Sequence, residues 1–102
     1  MTNINAMMKQ AQKLQKKMMQ TQQELEIQTV EASSGGGMIK VVANGANRLE
    51  SIVIEKEVVD SEDVEMLQDL VLAAVNDALT KSKEMVSSEM SKLTGGLKLP
   101  GL

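Results

Sequence analysis

The sequence predicts an α+β fold in which a long helix, a three-stranded antiparallel sheet and a second long helix follow one another. Three observations predict it. Apolar residues near the N-terminus recur with heptad spacing, β-branched runs separated by glycine and asparagine occupy the middle, and an apolar stripe of helical period follows. A chain of 102 residues has the size of a single domain, so we assign residues 1–102 to one unit.

The first predicted helix covers residues 4–28, because its apolar residues follow the a and d positions of a heptad. These positions, which we call the a/d seam, hold Ile4, Met7, Ala11, Leu14, Met18, Thr21 and Leu25. A helix of about 25 residues is roughly 38 Å long, which is more than one small domain can cover. We therefore expect much of this helix to project from the body or to pair with another chain.

Three short strands are predicted after this helix. The first covers residues 29–33 and ends before a run of three glycines. The second covers residues 38–43 and is followed by Asn44-Gly45, which is a turn signal. The third covers residues 49–54 and is again rich in β-branched side chains. Together these runs predict a small antiparallel meander.

Apolar residues are expected on both faces of the third strand. Simple alternation places Ile52 and Ile54 on one face and Leu49 and Val53 on the other. Each apolar face needs a cover, and a single helix can supply only one of them. A second subunit is the candidate for covering the other face.

The second predicted helix begins at Asp60 or Ser61, either of which can cap it, and runs to about Leu93. Its apolar stripe consists of Val64, Leu67, Leu70, Val71, Ala74, Val75, Ala78, Leu79, Met85, Val86 and Met90. The middle of this stripe is expected to form the core with the sheet. A glycine pair ends the helix, and residues 97–102 are expected to form a short mobile tail.

The composition argues against an enzyme. The chain has no histidine and no cysteine, which removes the usual general base near neutral pH, the thiolate nucleophile and the commonest metal ligands. The glycines at 35–37 lead into a strand and lack the Lys-Ser/Thr pair of a phosphate-binding loop. The carboxylates are dispersed, and the methionines fall on the helical stripes. We therefore predict no catalytic residue, no metal, no cofactor and no small-molecule substrate.

Charge is unevenly distributed along the chain, although its net value is only −3. Residues 1–23 contain four lysines and no acid, whereas residues 50–77 contain nine acids and one lysine. Residues 78–102 are basic again. Basic ends on an acidic body suggest an anionic partner that only the ends contact. No apolar run is long enough for a signal peptide or a membrane span, so we expect a cytoplasmic protein.

The N-terminal lysines can be interpreted in two ways. Lys9, Lys13 and Lys16 share one outward face of the first helix, which we call the lysine strip, and Lys17 flanks it. They are either a solvated helix face or a set of phosphate contacts, and no acid is interleaved to pair with them. Without aromatic residues there is no base stacking, and one arginine allows little base reading. Any nucleic acid bound would be duplex DNA, held by its backbone with little sequence preference.

Several segments together carry a family resemblance. They are residues 7–18 (MMKQAQKLQKKM), residues 34–41 (SGGGMIKV), Asn44-Gly45, residues 67–78 (LQDLVLAAVNDA) and the glycine, leucine and proline residues of 95–101 (GGLKLPG). In this order, over nearly the whole chain, they resemble the YbaB/EbfC family of small bacterial nucleoid-associated proteins.

The resemblance implies a helix–three-strand–helix protomer in a tight, tweezers-shaped homodimer that binds DNA and helps organise the bacterial chromosome or influence gene expression. It implies a location in the nucleoid and no enzymatic activity. DNA contact through helical arms and termini carries over to Lys9, Lys13, Lys16 and Lys17, with Lys92 and Lys98 as additional candidates. The alternative is a protein-interaction or holdase-like module that grips other proteins with Met-rich helical arms.

Overall fold

The computed structural model describes residues 3–95 and confirms the predicted order of helix, three strands and helix. Two 3-10 turns, Gly35–Gly37 and Lys56–Val58, connect these elements. The helices and strands are α1 (Ile4–Ile27), β1 (Thr29–Ser34), β2 (Ile39–Asn44), β3 (Leu49–Ile54) and α2 (Val64–Thr94). The predicted tail, residues 97–102, lies outside the described residues. No helix within residues 3–95 combines the length and the apolar character needed to cross a bilayer.

The strands form one antiparallel sheet in the order β1-β2-β3. The pairing of β2 with β3 shifts by one residue near Ala43, because Leu49 rather than Glu50 lies opposite it. This extra residue is a β-bulge, and it places Leu49 on the same face as Ile52. The prediction that Leu49 shares a face with Val53 is therefore wrong, because simple alternation does not allow for a bulge.

The core lies between α2 and the first two strands. Its buried residues are Ala32, Ile39, Val41, Ala43, Val58, Ala74 and Ala78. Alanine at the two helical positions removes side-chain bulk, so that the backbone of α2 lies close to the sheet. Leu70 and Val71 are half-buried around this core, as expected for the middle of the stripe. α2 packs on β1 and β2 but makes little contact with β3.

Two serine hydroxyls fix α2 along the sheet. Ser34 Oγ donates to the Leu70 carbonyl oxygen at 2.6 Å, and Ser82 Oγ donates to the Asn44 carbonyl oxygen. Ser82 is fully buried, and this bond satisfies its hydroxyl. Because the two bonds lie at opposite ends of the sheet, they align α2 with the strands.

α2 begins three residues later than Asp60. Asp63 is the N-cap, and its Oδ1 accepts a hydrogen bond from the Met66 backbone N–H at 3.2 Å. Asp60 instead accepts from the Glu62 backbone N–H at 2.9 Å and closes a turn. The prediction that Asp60 or Ser61 caps the helix is wrong, because an aspartate stabilises a turn by the same bond that caps a helix.

Candidate nucleic-acid interface

α1 and the C-terminal part of α2 leave the sheet at the same end and contact each other. α1 ends just before Thr29, which lies opposite Asn44, and Ser82 of α2 is bonded to that same Asn44. The part of α1 before this point and residues 83–94 of α2 therefore project together, and we call them the arm. The projection explains why the chain extends over 75 × 23 × 15 Å.

The a/d seam of α1 faces α2 only in the half of α1 that is nearer to the sheet. Leu25 is buried, and Leu14, Met18 and Thr21 are half-buried. Toward the tip of the arm the seam is exposed, and Ile4 retains 65% of its accessible surface. The expectation of a helix that projects from the body is therefore confirmed.

The lysine strip lies on the face of α1 opposite the a/d seam. Lys9, Lys13 and Lys16, and Lys17 beside them, are all exposed. Both ion pairs found within residues 3–95 are on α2, so no carboxylate neutralises these four ammonium groups in the described structure. Lys9 and Lys16 are two turns apart, which corresponds to about 10 Å along the helix axis. The strip is thus a free row of positive charge, and its contact with DNA stays a prediction.

The other two candidate lysines differ from this strip. Lys92 Nζ lies 2.9 Å from Glu89 Oε1, one turn earlier on the same helix. The carboxylate offsets its charge, so Lys92 attracts an anion less than an unpaired lysine would. Lys98 lies outside the described residues.

A pocket with a mostly apolar lining lies between the β2–β3 turn and α2, at the base of the arm. Its volume is about 240 Å³, and we call it the turn pocket. It is lined by Gly45, Asn47, Ser82, Lys83, Val86 and Ser87. The sequence analysis did not select Lys83, because the approach of the turn to α2 depends on packing between distant segments.

The turn itself is held by its own hydrogen bonds. Asn44 Oδ1 accepts from the backbone N–H groups of Ala46 at 2.9 Å and Arg48 at 3.3 Å. The Gly45 N–H donates to the Gln28 carbonyl oxygen at 3.0 Å, which ties the turn to the end of α1. A Cβ at Gly45 would overlap the Leu25 carbonyl group. Glycine is therefore required here by the close approach of α1.

Gly45→Ala is expected to lower the free energy of unfolding by about 3 kcal/mol, because the clash involves backbone that cannot rotate away. Gly36→Ala is the control. Gly36 has a φ of 68° but nothing within 4 Å of its Cβ position, so only the left-handed backbone opposes alanine there, at about 1 kcal/mol. Urea unfolding measures both. Equal losses in the two variants would show that the contact with α1 is not tight.

An apolar surface lies at the β3 edge of the sheet, on the face that packs on α2, because α2 does not extend over β3. Leu49, Ile52 and Ile54 keep 39–43% of their accessible surface. Between β3 and α2 runs a groove of about 440 Å³, the β3–α2 groove. It is lined by Ile54, Leu67, Gln68, Val71, Leu72 and Val75. The inner face of β3 is thus the apolar face that still lacks a cover in the single chain.

Residues 55–69, which we call the acidic segment, lie at the N-terminal end of α2, opposite the arm. Its carboxylates, from Glu55 to Asp69, are all exposed. α2 has 31 residues, which corresponds to about 46 Å, so the acids are far from the lysine strip. The described residues contain no group of three or more acidic side chains placed to hold a metal ion. The separation of charge along the sequence is therefore also a separation in space.

Comparison with known proteins gives consistent results. A model of the YbaB/EbfC DNA-binding family matches residues 1–97. A nucleoid-associated protein of Pelotomaculum thermopropionicum is 58% identical over 100 residues, which cover 98% of this chain and 95% of that protein. One of Thermoanaerobacter pseudethanolicus is 59% identical over 100 residues, with 98% and 90% covered. The uncharacterized protein HP0035 from Helicobacter pylori has a similar fold, with a TM-score of 0.61 over 86% of this chain and 98% of that chain, at 24% identity.

Proposed function

The chain belongs to the YbaB/EbfC DNA-binding family, and from this premise we infer that it is a nucleoid-associated protein that grips duplex DNA with its arm. The family is defined by DNA binding and is not a class of enzymes. Association with the nucleoid implies a cytoplasmic location. The alternative of a holdase-like module is not favoured, because the family that matches residues 1–97 is a DNA-binding family.

The exposed lysine strip is the observation that supports contact through the arm. A body of net charge −3 repels DNA, so the attraction has to be local. The strip offers unpaired ammonium groups on a projecting helix, far from the acidic segment of residues 55–69. Lysines that neutralise phosphates release condensed counterions, and this release drives binding whatever the base sequence.

A homodimer is the second part of the proposal, with the β3–α2 groove as its interface. The accessible surface of the chain is 7758 Å², whereas a compact monomer of 11.1 kDa would expose about 5,700 Å². The apolar residues of the groove belong to both β3 and α2, so a second copy related by a two-fold axis can cover the same surface in return. Such a dimer would present two arms to the DNA.

Binding of a random-sequence duplex at low salt tests the proposed function directly. We expect the wild-type chain to shift the duplex in a gel, and the shift to disappear as salt is raised. No shift at low salt would contradict DNA binding by the isolated protein. Suppressed aggregation of an unfolding client protein without any shift would support the holdase-like alternative instead.

Sequence preference is expected to be weak. The described arms carry lysines and no aromatic side chain, and lysine on a phosphate does not distinguish base pairs. Competition between unrelated duplexes of equal length measures the preference. We expect affinities within about tenfold of one another, whereas specific binders reach a thousandfold or more. A thousandfold preference for one duplex would show that side chains of the protein recognise base edges, and it would contradict this prediction.

A further inference from the structure

We propose that the tip of the arm is an apolar docking surface for the chain's own C-terminal segment, residues 96–102, whose leucines cover it. The surface, which we call the tip patch, consists of Ile4, Met7, Met8 and Ala11 of α1. The C-terminal segment has the sequence GLKLPGL and lies outside the described residues. Such a cover goes beyond DNA binding and does not depend on it.

The tip patch is one continuous face of α1. Its residues are spaced i, i+3, i+4 and i+7, which places them side by side on a helix. Ile4, Met7 and Met8 retain 65%, 59% and 55% of their accessible surface, and Ala11 is exposed as well. A contiguous group of large apolar side chains on a surface marks an interaction site, whereas scattered ones need no explanation.

The tip patch begins where α2 ends. α2 extends 12 residues beyond Ser82, which is bonded to the end of β2 at the β2–β3 turn. α1 extends 21 residues back from Leu25, which contacts the same turn, to Ile4. These lengths correspond to about 18 Å and about 32 Å, so α1 continues about 14 Å past the end of α2. The tip patch lies on this overhang.

The change in burial along α1 agrees with this geometry. Leu14 lies at the level of Leu93, near the end of α2, and both are half-buried. Ala11, which is about one turn further out on the a/d seam, is exposed. The seam thus loses its cover where α2 stops, and a cover for the rest has to follow α2 in the chain or come from another molecule.

The C-terminal segment begins at the right place and is long enough. It follows Gly95, the C-cap of α2, and α2 runs toward the tip of α1 at that point. Seven extended residues span up to about 23 Å, which exceeds the overhang of about 14 Å. The segment can therefore reach the whole tip patch without reversing its direction.

The sequence of the segment suits an apolar helix face. Leu97 and Leu99 are two residues apart, so in an extended chain they lie on one side, about 6.6 Å from each other. The proline that follows favours extended backbone at Leu99. Met7 and Ala11 are about 6 Å apart along the axis of α1. The two leucines can thus pack on successive positions of the a/d seam, while Lys98 between them would face water.

Charge disfavours the arm of a second copy as the cover. Residues 1–23 contain four lysines and no acid. Two arms packed tip to tip would bring two such sets of ammonium groups together, and like charges at close range repel. The C-terminal segment brings only Lys98, so its leucines supply apolar surface at a smaller electrostatic cost.

Methyl NMR of the full chain tests the contact directly. We expect nuclear Overhauser effects between the Met7 methyl group and the methyl groups of Leu97 and Leu99, because such effects arise only between groups in close contact. Met19 is the internal reference, since it is 58% exposed and lies off the a/d seam. Its methyl group should show no such effect.

A double variant, Leu97→Gln with Leu99→Gln, removes the proposed cover, and Lys98→Gln is the matched control in the same segment. In the double variant the Met7 methyl signal is expected to move. The backbone amides of residues 8–14 should exchange with solvent about fivefold faster, because apolar contacts that oppose fraying of the tip are lost. Lys98→Gln should leave both the signal and the exchange rates unchanged.

Equal Met7 signals and equal exchange rates in wild type and the double variant would overturn this proposal, and residues 97–102 would then be the mobile tail expected from the sequence. A wild-type Met7 signal that depends on protein concentration would overturn it as well, because a second copy would then cover the tip patch. No DNA is present in these measurements, so a failure of the proposed DNA binding would not change their result.

Discussion

The triple variant Lys9→Gln, Lys13→Gln and Lys16→Gln is expected to bind duplex DNA at least about 1,000-fold more weakly than the wild type at about 50 mM salt. Each strip would neutralise about three phosphates, and a dimer presents two strips. About six contacts correspond to a slope of log K against log salt near −5, and the triple variant should lose most of that slope. Each single change should remove about 2 from the slope, because it acts in both subunits. Salt titrations by fluorescence anisotropy measure all of these values.

The fold of this variant should survive, because glutamine and lysine have similar helix propensities and all three side chains are exposed. Circular dichroism and light scattering check this. Lys56→Gln is the matched control, since it removes an exposed lysine from the acidic end of the molecule and should leave affinity almost unchanged. If the triple variant keeps the wild-type slope, the DNA contact lies elsewhere, and the segment around Lys92 and Lys98 is the next region to test.

Leu72→Glu is expected to raise the dissociation constant of the homodimer about 1,000-fold, which corresponds to about 4 kcal/mol. Leu72 lines the β3–α2 groove and keeps 60% of its accessible surface in the single chain. Its side chain therefore contributes little to the protomer core. In the proposed dimer it would be buried against apolar groups, where an unpaired carboxylate costs several kcal/mol. Light scattering over a dilution series measures the change in mass from about twice 11.1 kDa.

Val53→Glu is the control for this variant. Val53 keeps 52% of its accessible surface and lies on β3, on the face away from the groove. The same charge placed there should leave the dimer intact and change stability by no more than about 0.5 kcal/mol. If Val53→Glu dissociates the dimer and Leu72→Glu does not, the interface is on the outer face of the sheet. A wild-type protein that remains a folded monomer of 11.1 kDa would contradict the dimer itself.

Much of the fold follows from local patterns in the sequence. The heptad of α1 predicted a helix that ends within one residue of Ile27, and the predicted β3 has the observed bounds. The exposed lysine strip also follows from local pattern, since the a/d seam decides which face of α1 is left for solvent. Such features depend on residues at most seven positions apart, and the period of apolar residues records them directly.

Other features could be predicted only by knowing which distant segments of the chain contact each other. The β-bulge that turns Leu49 to the inner face arises from the pairing of two strands. Ser82 was absent from the predicted apolar stripe, yet it is fully buried. A serine is expected at the surface unless a partner for its hydroxyl is known, and that partner, Asn44, lies 38 positions earlier in the chain.

By itself, the sequence determined the order and period of the elements, the absence of histidine and cysteine chemistry, and the family to which the chain belongs. Only the tertiary structure decided that Ser82 is buried against Asn44, that the turn meets α2 in a pocket, and that β3 is left uncovered beside a groove. The reason is physical. Helix and strand periods are set by backbone geometry over a few residues, whereas strand register, pockets and uncovered faces depend on which distant segments pack against one another.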